Sequence, residues 1–185
     1  MYGAPDVQSG TLQPGVCGIS SMEYDSDQAT TAEKTRSMEE SSTLPDIFHD
    51  FEIRASAEKV FQAVSTPAGL DSWWTSRSSG EPRSGAEYEL WFAPVYDWRA
   101  VVTMLVPDVE FELQLTRCDK DWHDTRVGFV LRETGGVTHV QFHHTGWQEA
   151  NDHYRTSNFC WALYLRLLKR YLERGEVVPY EERGS

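Results

Sequence analysis

From Ile47 onward the hydrophobic period of the chain changes in a fixed order, and each change predicts an element. Ile47, His49, Phe51 and Ile53 alternate with Phe48, Asp50, Glu52 and Arg54, the period of a strand with one dry face. Ser56 stands where an N-cap belongs, before a helix over Ala57–Ser65 whose Val60, Phe61 and Val64 share a face. Thr66-Pro67 restarts a short helix, with Pro at its favoured first position, and that helix ends in Trp73-Trp74. A Ser/Gly/Pro stretch over residues 76–85 reads as loop. Strand patterns then follow in succession: Tyr88, Leu90 and Phe92; Trp98, Ala100, Val102 and Met104; Val109, Phe111, Leu113 and Leu115. Val127, Phe129 and Leu131 continue them, with Val140, Phe142 and His144 after a Gly135-Gly136 turn. A helical pattern over Glu149–Arg174 closes the series, with Tyr154, Trp161, Leu165, Leu168 and Leu172 near one stripe and Gly175 as its stop.

This order predicts an α+β fold. An antiparallel sheet wetted on one side needs a cover on its dry face, and only the last helix is long enough to supply one. A curved sheet wrapped around that helix, with two short helices after the first strand, encloses a hollow between them. The expected organisation is a polar tail over residues 1–45, a domain over 46–178 and a short C-terminal tail over 179–185.

Composition supports the first boundary. All seven Trp and all eight Phe follow Pro45, and the first 45 residues have no bulky side chains in a periodic pattern with which to form a core. The local exception is a capping-box spacing, Thr30 with Glu33, before a short helical pattern over Ala32–Glu40. The tail holds seven acids and two bases; the remainder has 22 acids against 15 bases, so acidity extends into the domain. A net charge of −12 argues against nucleic acid and against an anionic membrane, both of which repel it. No apolar run approaches the ~18 residues of a membrane span. No basic region followed by an apolar core opens the chain, so no signal peptide is read there. Cys17, Cys118 and Cys160 are too few and too scattered for a disulfide framework or a paired-cysteine zinc site. The expected setting is reduced and cytoplasmic.

The run Ala55-Ser56-Ala57-Glu58-Lys59-Val60-Phe61 with Trp73-Trp74 resembles the first helical segment of the SRPBCC superfamily, the START and birch-pollen-allergen-like helix-grip proteins. The segment Val140-Gln141-Phe142-His143-His144-Thr145-Gly146-Trp147 resembles the penultimate strand of one branch, the homologues of the Hsp90 ATPase activator. Trp161 with Leu165, Leu168 and Leu172 fits that branch's C-terminal helix. The resemblance implies a helix-grip fold from about Asp46 to Glu176. It says little about function, because this architecture hosts binders, cyclases, hydrolases and chaperone regulators. In style the chain is also similar to helix-grip self-resistance proteins of enediyne-antibiotic producers, which bind the drug and sacrifice their own backbone to its diradical. Arg-rich, Lys-poor usage (13 against 4) fits the GC-rich genome of such a producer.

The candidate chemistry is mostly aromatic. Drug-sized pockets are lined by apolar and aromatic side chains with a few polar anchors. The expected lining is therefore Trp73, Trp74, Trp98, Trp147 and Trp161, with inward-facing Phe111, Phe129 and Tyr154. Core filling is the plainer role for any one of these. Arg99 and Asp71 are candidate anchors at the mouth, with ordinary solvated charge as the alternative. His144, on an inward face, either orients a ligand, serves as a general base or is a hydrogen-bonded core histidine. His139 and His143 lie on the opposite face, ~13 Å apart, too far to share a metal. No nucleophile elbow, phosphate loop or zinc-protease pair occurs, so no cofactor, metal or catalytic constellation is expected. Gly128, inside a strand, is a candidate sacrificial backbone position under the resistance reading, although alternation aims it away from the cavity. The resulting expectation is a non-catalytic binder of a bulky apolar or polycyclic small molecule, most specifically in enediyne self-resistance. The alternatives are a co-chaperone that stimulates a chaperone ATPase and a cyclase- or hydrolase-type enzyme.

Overall fold

The computed structural model describes residues 45–92 and 96–184. Seven strands form one sheet in the order β1-β7-β6-β5-β4-β3-β2. They are β1 (Ile47–Ile53), β2 (Arg77–Ser79), β3 (Glu87–Trp91), β4 (Asp97–Val106), β5 (Glu110–Arg117), β6 (Arg126–Thr134) and β7 (Val137–Thr145). Every pairing is antiparallel. The helices are α1 (Ala57–Ser65), α2 (Pro67–Trp73) and α3 (Asp152–Arg174), with single 3₁₀ turns at Lys120–Trp122 and Tyr180–Glu182. Among the described residues no helix is long and apolar enough to cross a membrane. The tail assigned to residues 1–45, with its helical pattern over Ala32–Glu40, lies outside the described residues except for Pro45.

The predicted signals fall on the observed elements. Ser56 accepts a hydrogen bond from Lys59 N at 3.4 Å and Thr66 from Gly69 N at 3.1 Å, the two N-caps. Gly135 and Gly136, at φ +61° and +78°, give the tight β6–β7 turn the two positive dihedrals it requires. α3 starts three residues later than its pattern suggests, because Asn151 is its N-cap and accepts from Tyr154 N at 2.9 Å. It ends at Gly175.

Three predictions need correction. The loop over residues 76–85 contains β2, a short edge strand held by backbone pairing to β3. Val109 precedes β5 and is exposed. Met104 is exposed rather than inward, because the β4–β5 register shifts between Val102 and Met104. Such a bulge bends and twists the strand, and curvature here wraps the sheet around α3. One buried cluster fills the concave side, with Ile53, Tyr88, Leu113, Val140 and Phe142 from the sheet against Val60, Leu70, Trp161, Leu165 and Leu168 from the helices.

Residues 179–184 are part of this fold. Arg183, 6% exposed, donates to the carbonyls of Val178 (2.9 Å), Thr75 (3.0 Å) and Asp71 (2.7 Å). It thereby satisfies carbonyls at the C-terminal end of α2 that the helix itself leaves unpaired. Tyr180 donates to the Phe92 carbonyl and lies under the Arg183 guanidinium.

Candidate functional site

Five aromatic rings from five segments close a collar under α3. Trp74 follows α2, Phe92 follows β3, Trp98 opens β4, Trp122 ends the 3₁₀ turn between β5 and β6, and Trp161 lies on α3. Successive centroids are 5.1 Å (Trp74–Phe92), 5.0 Å (Phe92–Trp98), 5.0 Å (Trp98–Trp122) and 5.8 Å (Trp122–Trp161) apart. The return step from Trp161 to Trp74 is 5.2 Å. These five residues border a partly open hollow of about 50 Å³, together with Asp119, His153, Ser157, Cys160 and Tyr164. Two larger hollows, of about 370 and 400 Å³, are surface grooves without a tryptophan in their lining.

The hollow is small for the bulky guest expected of it. Sites for drug-sized ligands measure roughly 300–1,000 Å³. Here the indoles largely fill the interior they line, and the space left admits a group of a few heavy atoms.

A directed hydrogen-bond chain braces the collar from behind. Trp161 Nε1 donates to His144 Nδ1 at 2.9 Å, His144 Nε2 lies 2.9 Å from Thr125 Oγ1, and Thr125 donates to the Trp122 carbonyl at 2.6 Å. An indole only donates, so Nδ1 is an acceptor and the proton of the neutral ring sits on Nε2. Burial, with smaller contributions from His143 and His153, holds His144 well below the usual histidine range. Both nitrogens are committed, so neither is available as a general base. The enzyme alternative loses its named base.

At the rim the polar groups differ in their engagements. Ser157 Oγ accepts from Trp122 Nε1 at 3.2 Å. His153 Nδ1 lies 3.1 Å from Asp121 Oδ2. Asp119 precedes the 3₁₀ turn without a side-chain capping bond, and its carboxylate has no hydrogen bond or ion pair among the described residues.

Of the residues expected to line the site, Trp74, Trp98 and Trp161 do so. Trp73 is core, donating from Nε1 to the Ala63 carbonyl at 3.0 Å and meeting Phe129 edge-on. Phe111 packs on Phe61, and Phe129 on Phe142. Trp147 is buried against Trp122 and Tyr154, and its Nε1 has no partner among the described residues. Tyr154 donates to the Asp46 carbonyl at 3.1 Å. His144 stands behind the collar. Arg99 does not face the hollow: it alternates with Trp98 and pairs with Asp97, Glu87 and Glu89 on the outer face of the sheet. Asp71 accepts from Thr75 Oγ1 (2.7 Å) and Ser78 Oγ (2.8 Å), a structural role.

Gly128 also faces outward. A Cβ there would sit 2.5 Å from His143 Cε1 and 3.2 Å from Glu112 Cβ, so the glycine makes room for the His143 ring. His143 Nε2 in turn meets Glu112 Oε2 at 3.0 Å, and that bond leads the effects holding the Glu112 carboxyl below its usual range.

Sequence reasoning missed Trp122, Phe92, Asp119, His153, Ser157, Cys160 and Tyr164 at the hollow. Trp122 had a readable signal: a lone indole within the polar run Cys118-Asp119-Lys120-Asp121-Trp122-His123-Asp124 has to find cover from another element. Phe92 had one too, the alternation it shares with Tyr88 and Leu90; the remaining five carry none, because loop closure and helix phase bring them together.

A curved antiparallel sheet gripping one long helix, with two short helices inserted after the first strand, defines a helix-grip protein. Residues 54–173 match the model of the family described as activator of Hsp90 ATPase homolog 1-like protein, and the chain belongs to that family. No curated protein matches the sequence. Among solved structures, the Aha1 dimer from Colwellia psychrerythraea is 33% identical, with a TM-score of 0.66 over 72% of this chain and 99% of that one. CalU16 from Micromonospora echinospora is 18% identical, with a TM-score of 0.58 over 75% of this chain and 83% of that one. DynU16, a putative protein in the dynemicin biosynthetic locus, is 18% identical, with a TM-score of 0.61 over 71% of this chain and 48% of that one. At that identity the last two show a shared fold.

Proposed function

We propose that this protein works as a small-molecule binder, seating a compact head of its guest inside the aromatic collar. The observation that carries this reading is the closed ring Trp74–Phe92–Trp98–Trp122–Trp161 around a hollow of about 50 Å³ among the described residues. Well-packed cores leave few voids larger than a water molecule, and a hollow bordered by five aromatic rings offers a guest extensive dispersion contacts. The test is intrinsic tryptophan fluorescence titrated with a panel of small organic compounds. Saturable quenching that weakens at least about tenfold in Trp98→Leu is expected for a guest in the collar. Saturable binding unchanged by Trp98→Leu would place the guest elsewhere.

The finer reading is self-resistance to an enediyne-type antibiotic, by sequestration followed by backbone cleavage. Its support is the fold shared with CalU16 and with a protein of the dynemicin locus. A bulky polycyclic guest exceeds the hollow and requires Trp122 to swing out with its turn. That indole is held by one 3.2 Å hydrogen bond to Ser157 and by ring contacts to Trp98, His144, Trp147 and Trp161, all of which the movement would break. Gly128 would be attacked from the outer face of the sheet. Mass spectrometry after incubation with an enediyne would show whether the chain is cut and at which residue.

Stimulation of a chaperone ATPase is the second reading, favoured by family membership and by the 33% identical relative. It acts through a surface, so ATPase stimulation that survives Trp98→Leu but falls on charge reversal at Glu110 would establish it. Glu112 is a poor probe because it is committed to Thr103 and His143.

A further inference from the structure

We infer that the collar selects organic cations: an ammonium head, up to the fully methylated form, seated among the indoles with Asp119 as its counter-charge. This rests on the small-molecule reading above and names the chemistry of the guest.

Three observations converge on it. The first is what the rings offer. The N–H groups of Trp122 and Trp161 are spent on Ser157 and His144, so these two indoles present carbon faces and edges but no donor to the hollow. A carbonyl or an anion therefore finds no hydrogen bond from them. A cation within about 6 Å of an indole centroid is attracted by the ring's quadrupole, most strongly where water is excluded.

The second is Asp119. It lines the hollow, is half-buried and has no cation or donor among the described residues to satisfy it. A half-desolvated carboxylate without a partner is costly unless something pairs with it. Its field already acts on its neighbour: burial first, and then the charges of Asp119 and Asp124, push the Cys118 thiol up to about 12. Among the described residues no lysine or arginine lines the hollow to compete for it.

The third is scale. About 50 Å³ suits a compact head better than a whole polycycle, and a chain of net charge −12 raises the local concentration of cations around its mouth.

The experiment compares two isosteric probes, choline and 3,3-dimethylbutan-1-ol, which differ in one positive charge. Each is titrated by tryptophan fluorescence into the full-length protein, and into Asp119→Asn and Trp98→Leu. Choline is expected to bind about tenfold tighter than the alcohol, a preference that shrinks in Asp119→Asn and in high salt. Trp98→Leu should weaken both probes. Equal or tighter binding of the alcohol would overturn the cation preference and leave a neutral binding pocket standing. An undiminished choline preference in Asp119→Asn would remove Asp119 from the site. No saturable change with either probe, or with the wider compound panel, would bring down the pocket itself.

Discussion

The indole N–H of Trp161 on α3 points at Nδ1 of His144 on β7, 2.9 Å away, where both residues are almost completely buried. This bond locks the long helix to the sheet at one rotational setting and fixes which nitrogen of the histidine carries its proton. Protonating Nδ1 would set two N–H groups against each other. The folded protein therefore holds His144 neutral well below the usual histidine range, through burial first.

A pH dependence follows from this histidine. The unfolded chain binds a proton at His144 near pH 6.5, while the folded chain does so only at much lower pH. His144's contribution is complete above that unfolded value and is lost progressively as pH falls toward the folded one, at up to about 1.4 kcal/mol per pH unit. Urea unfolding at pH 7.5 and pH 5 should show a loss of stability that is smaller in His144→Gln. An equal loss in the variant would assign the acid sensitivity to other groups.

Trp161→Phe tests the bond itself. It removes the donor and leaves a buried acceptor unpaired, which costs about 1–3 kcal/mol beyond the loss of ring contact. The His144 ring, freed from its tether, should also gain a second tautomer visible in nitrogen-15 spectra.

Gly128→Ala should destabilise the protein by about 1–3 kcal/mol, because the new methyl group meets the His143 ring. In a His143→Ala background the same substitution should cost less than about 1 kcal/mol, as contacts that share a site couple in double-mutant cycles. Equal cost in both backgrounds would show that backbone conformation, rather than the imidazole, demands the glycine.

Arg183→Ala should cost about 2–4 kcal/mol, since three backbone carbonyls lose a charged donor at once. Arg183→Lys should recover only part of this, because an ammonium is a point charge and lacks the spread of a guanidinium. Thermal unfolding of the two variants measures both claims.

The β4 bulge is tested by a pair of substitutions. Met104→Lys should change stability by no more than about 0.5 kcal/mol, as expected at an exposed position. Val102→Lys, two residues away and buried, should prevent stable folding by forcing a charge into the core.

The fold was written in local periodicity. Alternation at Ile47–Ile53 and Val140–His144, the caps Ser56 and Thr66, and the Gly135-Gly136 turn each act through neighbours within a few residues, so they are legible without tertiary information. The bulge at Val102–Met104 was not legible, because it depends on how β4 must bend to follow α3. β2 was hidden because Arg77-Ser78-Ser79 pairs through backbone atoms, which carry no sequence signature.

The sequence by itself determined that the chain holds enough indole to build an aromatic site, and that Trp74, Trp98 and Trp161 belong to elements able to reach one. Only the tertiary structure decided which rings meet. Helix phase and loop closure brought Phe92 and Trp122 into the collar, sent Trp73 and Phe111 into the core and turned Arg99 outward. Packing density then set how little space remained between them. These are outcomes of long-range packing, in which each side chain's neighbours come from distant segments, and no local pattern encodes them.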